Sequence, residues 1–285
     1  MILILTYKNE YGTIRMAGGG KDNAWCVTEI TGIGFPKRNF TYNTYAGVYG
    51  QELASVSIPS RTITISGDIS VMAQKALPLH LAAKILNADG ELSLQTGRKA
   101  RRAKVRTLSF EVQERKMAYK TFVLQLESDN PYFWGPAPLS YSVFSRQNLL
   151  KSTFTLPCVF SRRNMSATVI NNGDAECEPV LTIFKPEQSE VLESDTLIIK
   201  NEANGAVITL NHIMQPGETV TVDIPNRTIV SDSSGSILQE ISDDTVLRSF
   251  VLLTGKNQVS CVSGDASLAV VCKFETLHLE ASHYE

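Results

Sequence analysis

Nucleophilic or acid–base chemistry near neutral pH needs a histidine beside its partner, and this chain offers His80, His212, His278 and His283. His80 lies on the flank of a helical apolar stripe, His212 precedes a turn, and the other two fall in the last eight residues. None has a nucleophile or carboxylate at a catalytic spacing, so all four read as surface or capping residues. The five cysteines, Cys26, Cys158, Cys177, Cys261 and Cys272, are odd in number, without a CxxC pair or companion histidines. They read as buried free thiols, with a Cys261–Cys272 disulfide as the alternative. Gly18-Gly19-Gly20-Lys21 has the outline of a phosphate cradle but lacks the hydroxyl after lysine and the following helix, and reads as a hairpin tip. Asp243-Asp244 is a solvated loop. These residues assign no catalytic site, no cofactor and no metal.

Two segments carry surface chemistry instead. Arg98 to Arg106 places six positive charges in nine residues, dense enough to neutralise phosphates. It has no interleaved aromatics and runs into a strand, which favours a solvated or inter-subunit ion-pairing segment over a nucleic-acid site. Arg98, Arg101 and Arg102 are its candidate contacts. Asn39 to Gln51 concentrates aromatics among small polar residues, the composition of an adaptable contact surface, with Tyr42, Tyr45 and Tyr49 as candidate inter-subunit contacts. The alternative is a long hairpin packed on its own domain.

The elements that must position these residues are strands. Thr62 to Val71 alternates, with Ile63, Ile65, Ile69 and Val71 on one face and Gly67 marking a bulge or a close approach. Arg106 to Val112 pairs with Tyr119 to Leu126, so Leu108, Phe110 and Val112 share a core with Phe122, Leu124 and Leu126. One helix is predicted: Pro78 sets its first turn, Leu79, Ala82, Ala83 and Leu86 form its stripe, and Asn87 to Gly90 ends it, with Met72 to Leu77 as an earlier helical extension that Pro78 would kink. The apolar opening Met1 to Leu5 is cut short by Lys8 and Glu10 and reads as an edge strand rather than a leader.

The 285 residues suit two domains, and the net charge of −2 gives no general attraction for nucleic acid or acidic membranes. No apolar run approaches the roughly 20 residues of a membrane helix, so the expectation is a soluble protein made in the cytoplasm, with no membrane partner. Glu127 to Pro138 is the boundary. It closes a strand, sets Tyr132, Phe133 and Trp134 behind Pro131, and ends in Pro136 and Pro138, which hold the chain extended. The first domain, residues 1–138, is β-rich with one helix. The second, 139–285, shows short strand-like runs from Thr153 to Phe274, Thr153 to Phe160 and Ser249 to Leu253 among them, separated by turns, the pattern of an antiparallel β-sandwich.

Taken in order, these segments resemble the phage distal tail proteins of the siphovirus tail-component type. The resemblance begins at Ile30-Thr31-Gly32-Ile33-Gly34-Phe35-Pro36 and continues through Gly47 to Glu52. It reaches the Arg61-led strand to Ile69, the helix, the basic segment and the stretch from Glu127 to Gly135 that contains Asp129, Asn130 and Pro131. In the second domain Val169 to Ile183, Gly217 to Asp223 and Leu253 to Asn257 are similar. The resemblance implies a mainly β protein: an N-terminal β-sandwich or split-barrel-like ring domain with one α-helix, and a C-terminal galectin-like antiparallel β-sandwich.

By the same resemblance the chain forms a hexameric ring, a virion component at the tail tip or baseplate. That ring joins the tail-tube protein to a tail-associated lysin or tail fibre hub protein and holds receptor-binding proteins at its periphery. DNA passes through the channel without specific binding. The sequence departs from the pattern in having no long insertion that reads as a receptor-binding arm. The alternative function is a carbohydrate-binding module aiding adsorption to the host surface.

Overall fold

The computed structural model describes residues 3–18, 25–47, 49–70, 73, 77–97, 99–116, 119–148, 161–189, 196–265 and 267–281. It is mainly β, and two compact units divide the chain: residues 1–136 with 278–285, and residues 137–277. The tail after Leu277, assigned by sequence to the second domain, returns to the first.

The first unit contains β1 (Leu3–Asn9), β2 (Gly12–Gly18), β3 (Trp25–Thr31), β4 (Asn39–Asn43), β5 (Glu52–Ser57) and β6 (Arg61–Ser70). It continues with α1 (Leu79–Leu86), β7 (Gly90–Thr96), β8 (Lys99–Lys116), β9 (Tyr119–Ser128) and β10 (Phe133–Trp134). The order β8-β7-β1-β2-β3-β6-β9 closes on itself because β9 pairs again with β8, giving a seven-stranded barrel. Neighbours are antiparallel except β2 and β3, which meet in parallel over a short stretch at Ala17–Cys26 and Gly18–Val27. Closure corrects the reading of the opening run as an edge, since β1 is paired on both sides by β2 and β7.

Alternation fills the barrel. Leu5, Tyr7, Ile63, Ile65, Leu92, Leu94, Phe122, Leu124 and Leu126 all point into one buried core. Burying each large aliphatic contributes about 1.5–3 kcal/mol, well above the roughly 0–1 kcal/mol of an exposed ion pair, so the pattern rather than the surface charges holds the unit together. Leu108 departs from expectation. The register slips between Thr107 and Ser109, and Leu108 on that bulge is 52% exposed, while Phe110 and Val112 pack against the core as expected.

Gly67 faces Phe122 across β6 and β9, and a Cβ there would lie 2.1 Å from the Cys26 carbonyl oxygen and 2.8 Å from the Phe122 ring. The glycine is a close approach. Gly67→Ala is expected to cost about 1–3 kcal/mol by overpacking, read by urea denaturation; wild-type stability would show that the strand can yield at this point.

Helix α1 starts after Pro78, whose φ of −56° leads into the first turn, and ends at Asn87. Its buried residues are Ala82, Ile85 and Leu86; Ala83, expected on the stripe, is exposed and Ile85 takes its place. The Tyr7 hydroxyl donates to the Ala88 carbonyl, and Asn9 Nδ2 donates to the Ile85 carbonyl at 2.6 Å, tying the helix end to β1. Of the helical extension predicted from Met72 to Leu77, Ala73 is helical and accepts from the Leu77 amide at 2.8 Å. Met72 and residues 74–76 lie outside the described residues.

The second unit is built from β11 (Leu139–Asn148), β12 (Ser161–Asn164), β13 (Ser166–Asn171), β14 (Val180–Phe184), β15 (Leu197–Asn201) and β16 (Ala206–Leu210). It is completed by β17 (Thr219–Asp223), β18 (Thr228–Ser231), β19 (Gly235–Ser236), β20 (Gly255–Val262) and β21 (Ala269–Phe274). One sheet runs β12-β11-β21-β14-β17-β18-β19 and the other β13-β20-β15-β16, all antiparallel. Leu181, Val220, Val222 and Val270 of the first share a core with Val169, Ile199, Ile208 and Val259 of the second, the sandwich expected from sequence. The strand predicted at Ser249 to Leu253 is instead the end of a short 3₁₀ turn followed by an isolated bridge from Leu252 to Cys177. The one predicted at Thr153 to Phe160 lies outside the described residues.

Two buried asparagines inside this unit are satisfied largely by backbone. Asn171 Nδ2 donates to the carbonyls of Ala175 and Leu252 while its oxygen accepts from the Gly173 amide at 2.9 Å, which explains the Asn-Asn-Gly-Asp turn. Asn257 closes the Leu253 to Asn257 turn by accepting from the Leu253 amide at 2.9 Å and donating to the Leu253 carbonyl at 2.7 Å. Cys26, Cys177 and Cys272 are free thiols, so the alternative Cys261–Cys272 disulfide does not form. Burial pushes the Cys177 and Cys272 thiols up to about 12, which leaves both unreactive near neutral pH. Cys158 lies outside the described residues.

Candidate functional site

Arg61 opens β6 and is nearly fully buried, with no carboxylate among the described residues on its guanidinium. Four carbonyls surround it. Nε donates to Pro131 at 2.7 Å, Nη1 to Gly32 at 2.7 Å and Gly34 at 2.6 Å, and Nη2 to Leu279 at 2.8 Å. The guanidinium lies 4.4 Å from the Phe133 ring centroid. Burial pulls its pKa down to about 10, still far above neutral, so the group remains a cation. One side chain thus pins three distant segments: the loop after β3, the stretch after β9, and the returning tail, where the Ala281 amide also donates to the Ile33 carbonyl at 2.8 Å.

The rest of the Glu127 to Pro138 stretch serves the same cluster. Asn130 accepts from the Tyr132 amide at 2.9 Å and its carbonyl takes the Ser128 hydroxyl at 2.9 Å, a side-chain turn that presents the Pro131 carbonyl to Arg61. Asp129 pairs with Arg106 on the surface. Phe133 is fully buried, whereas Tyr132 and Trp134 are half-buried. Trp134 pairs with Arg102 in the sheet and lies 5.8 Å from the Lys104 ammonium. The arginine and its aromatic were legible as motifs; the glycine carbonyls and Leu279 were not, because a single sequence carries no signal for contacts 29 and 218 residues away.

The aromatic segment forms a hairpin whose strands β4 and β5, among the described residues, pair with each other alone. Every residue of both strands is exposed. Phe40 and Tyr42 stack at 6.5 Å, Tyr42 and Tyr45 are 50% and 52% exposed, and Tyr49 is fully exposed. A lone two-stranded hairpin is marginal in water, and this one leaves Phe40, Leu53 and Val56 about half exposed as well. The alternative of a hairpin packed on its own domain is not what the burial shows.

In the basic segment, Arg101 and Arg102 are half-buried on β8. Arg102 donates to the Gly135 carbonyl at 2.9 Å and meets Glu91 at 3.4 Å, so part of its charge is spent within the unit. Arg98 lies outside the described residues.

Two polar clusters in the second unit escaped the sequence. Lys185 and Asp265 form an ion pair at 2.8 Å, both side chains nearly inaccessible. His212, read from sequence as a surface residue, is instead clamped between Glu218 at 2.8 Å and Glu240 at 2.5 Å. With both ring nitrogens turned to carboxylates it has no free nitrogen to take a proton from a nucleophile, and the neighbouring Ser231 hydroxyl donates to Glu218 instead. His278 is also buried rather than superficial, His80 is exposed as expected, and His283 lies outside the described residues.

Burial opposes charge on His212, but the hydrogen bonds and charges of Glu218 and Glu240 outweigh it and raise its pKa above the ordinary 6.5. Burial likewise opposes ionisation of Glu218, and hydrogen bonds from Ser231, the Gln215 amide, His212 and Ser233 pull it down to about 2. The histidine's contribution is full below 6.5 and is lost as pH rises through its elevated folded value; the glutamate's is present above 4.5 and is lost as pH falls towards 2. Thermal unfolding is therefore expected to be most resistant between those two limits, and His212→Gln to remove the fall on the alkaline side. Identical pH profiles for variant and wild type would refute the clamp.

No protein-family model and no curated protein matches the chain. Solved structures do. The Dit (gp 19.1) protein of phage SPP1, a paradigm of the hub adsorption apparatus in phages infecting Gram-positive bacteria, superposes with a TM-score of 0.66 at 13% identity, over 96% of this chain and 98% of that one. A chain of the phage P2 baseplate in its activated conformation with Ca gives 0.52 at 10% identity, over 97% and 98%. The same baseplate with Sr gives 0.50 at 9%, over 96% and 98%. At these identities what is shared is the fold, along nearly the whole of each chain.

Proposed function

We propose that this chain is the distal tail protein of a bacteriophage or prophage, a structural and non-enzymatic hub. Its barrel units close a hexameric ring whose channel passes DNA without specific contacts, and its sandwich units face outward. The ring joins the tail-tube protein to a tail-associated lysin or tail fibre hub protein and carries receptor-binding proteins at its rim. The protein is made in the bacterial cytoplasm and resides at the tail tip. The observation that carries this reading is the likeness to a phage hub protein over 96% of this chain and 98% of that one, which takes in both units at once. The exposed hairpin supports it, because a surface so apolar needs a partner to cover it.

Sedimentation of the purified protein, alone and with the tail-tube protein, is expected to yield a six-subunit ring; a stable monomer or dimer under both conditions would count against it. Sugar binding draws on exposed aromatics, and among the described residues of the second unit the exposed aromatic is Phe184 alone. A glycan array is accordingly expected to show no binding.

A further inference from the structure

The outer surface of the barrel is divided by charge. On β8, β7, β1 and β2 the pairing sets Lys104, Glu91, Lys8 and Thr13 in one outward row, and Arg102, Ser93, Thr6 and Arg15 in the next. Arg102 and Glu91 lie within 3.4 Å of each other, while Lys104, Lys8 and Arg15 are exposed. This half of the barrel therefore presents three further cations.

Two adjacent rows of the other half carry the opposite sign. Across β3, β6, β9 and the far end of β8 the rows are Glu29, Ser66, Val123 and Glu111, then Cys26, Asp68, Thr121 and Gln113. Neither row holds a cation. Glu29 and Glu111 are exposed, and Asp68 is half-buried with the Thr121 hydroxyl at 3.4 Å. Three carboxylates among threonine, serine and glutamine face outward here.

We infer that these two faces are partners for one another on successive copies of this chain: the face of Lys8, Arg15 and Lys104 docks on the face of Glu29, Asp68 and Glu111 of the next subunit. The inference rests on the ring reading above and names the surfaces that close it. Charge selects the geometry. A two-fold dimer through either face would set like charges against like, whereas a head-to-tail contact sets three cations against three carboxylates and leaves one face of each kind for the next copy. That is the heterologous contact from which rings and open chains, but not two-fold dimers, are built.

The test uses two charge-reversed full-length chains. Lys8→Glu with Arg15→Glu and Lys104→Glu makes both faces acidic; Glu29→Lys with Asp68→Lys and Glu111→Lys makes both basic. Because Asp68 is half-buried, Glu29→Lys with Glu111→Lys is a second version, and circular dichroism melting confirms that each chain folds. In sedimentation at low salt, each variant is expected to lose self-association by about tenfold or more, and their mixture to associate, more weakly as salt rises. A folded pair that does not associate when mixed, or a reversal that leaves assembly unchanged, overturns the inference. The ring reading fails separately: rescue by mixing with only open chains from the wild type keeps the charge pairing and removes the ring. A wild-type ring indifferent to both reversals keeps the ring and removes the pairing.

Discussion

Arg61→Met is expected to lower stability in urea by about 4–6 kcal/mol, the loss of four charge-assisted hydrogen bonds that leaves buried carbonyls unmet. Methionine keeps the apolar stem but not the guanidinium that lies over Phe133, so the loss reports the donors together with that ring contact. Against a domain stability of about 5–15 kcal/mol this brings the variant to the edge of unfolding. Arg61→Lys is expected to fall between the two. One ammonium can take some of the carbonyls, but it cannot reproduce a planar fork that donates to Pro131 from Nε while reaching Gly32, Gly34 and Leu279 from the other side. If Arg61→Met stayed within about 1 kcal/mol of wild type, the carbonyl cage would be incidental to the fold.

Phe133→Ala is expected to cost about 3–5 kcal/mol, as a fully buried aromatic leaves a cavity and Arg61 loses the ring beneath it. Trp134, the larger ring and the more conspicuous from sequence, is half-buried, and Trp134→Ala is expected to cost only about 1–2 kcal/mol. Equilibrium denaturation of both variants decides the order. A tryptophan variant weaker than the phenylalanine variant would mean that the anchor of the stretch has been placed on the wrong residue. A double variant with Arg61→Met should lose less than the sum, because the two side chains touch.

What could be read from sequence was whatever is written locally. The alternation of Ile63, Ile65 and Ile69, the pairing of the Phe110 and Phe122 strands, the helix after Pro78 and the turns of the second unit each follow from neighbours within a few residues. The exposed hairpin was visible in its aromatics, and Arg61 and Phe133 in their motifs. What escaped depends on distance or on a slip in register. The barrel closes through a short parallel contact of Ala17 and Gly18 with Cys26 and Val27, too brief to leave a pattern. Leu108 keeps the alternation on paper, and the bulge at Thr107 turns it outward. His212 looked superficial because Glu240, which completes its clamp, is 28 residues away. The return of the tail to the barrel unit rests on backbone carbonyls, which no residue type announces.

The two charged halves of the barrel illustrate the same limit from the other side. Lys8, Arg15 and Lys104 come from three strands, and none of them stands out along the chain. Only the register assembles them into one face, while the conspicuous basic run is, from Lys99 to Arg106, divided between contacts inside the unit and that surface. Charge clusters in a sheet are properties of rows, and rows are written across strands rather than along them.

As the proposed hub at the end of a phage tail, this protein has one expected place in the particle. Gold-labelled antibody against the chain, imaged by electron microscopy on tails from the phage or induced prophage that encodes it, tests that claim most directly. Label confined to the distal tip, where tube and adsorption apparatus meet, is the expected result. Label along the tube, at the head-proximal end, or on no part of the particle would contradict it.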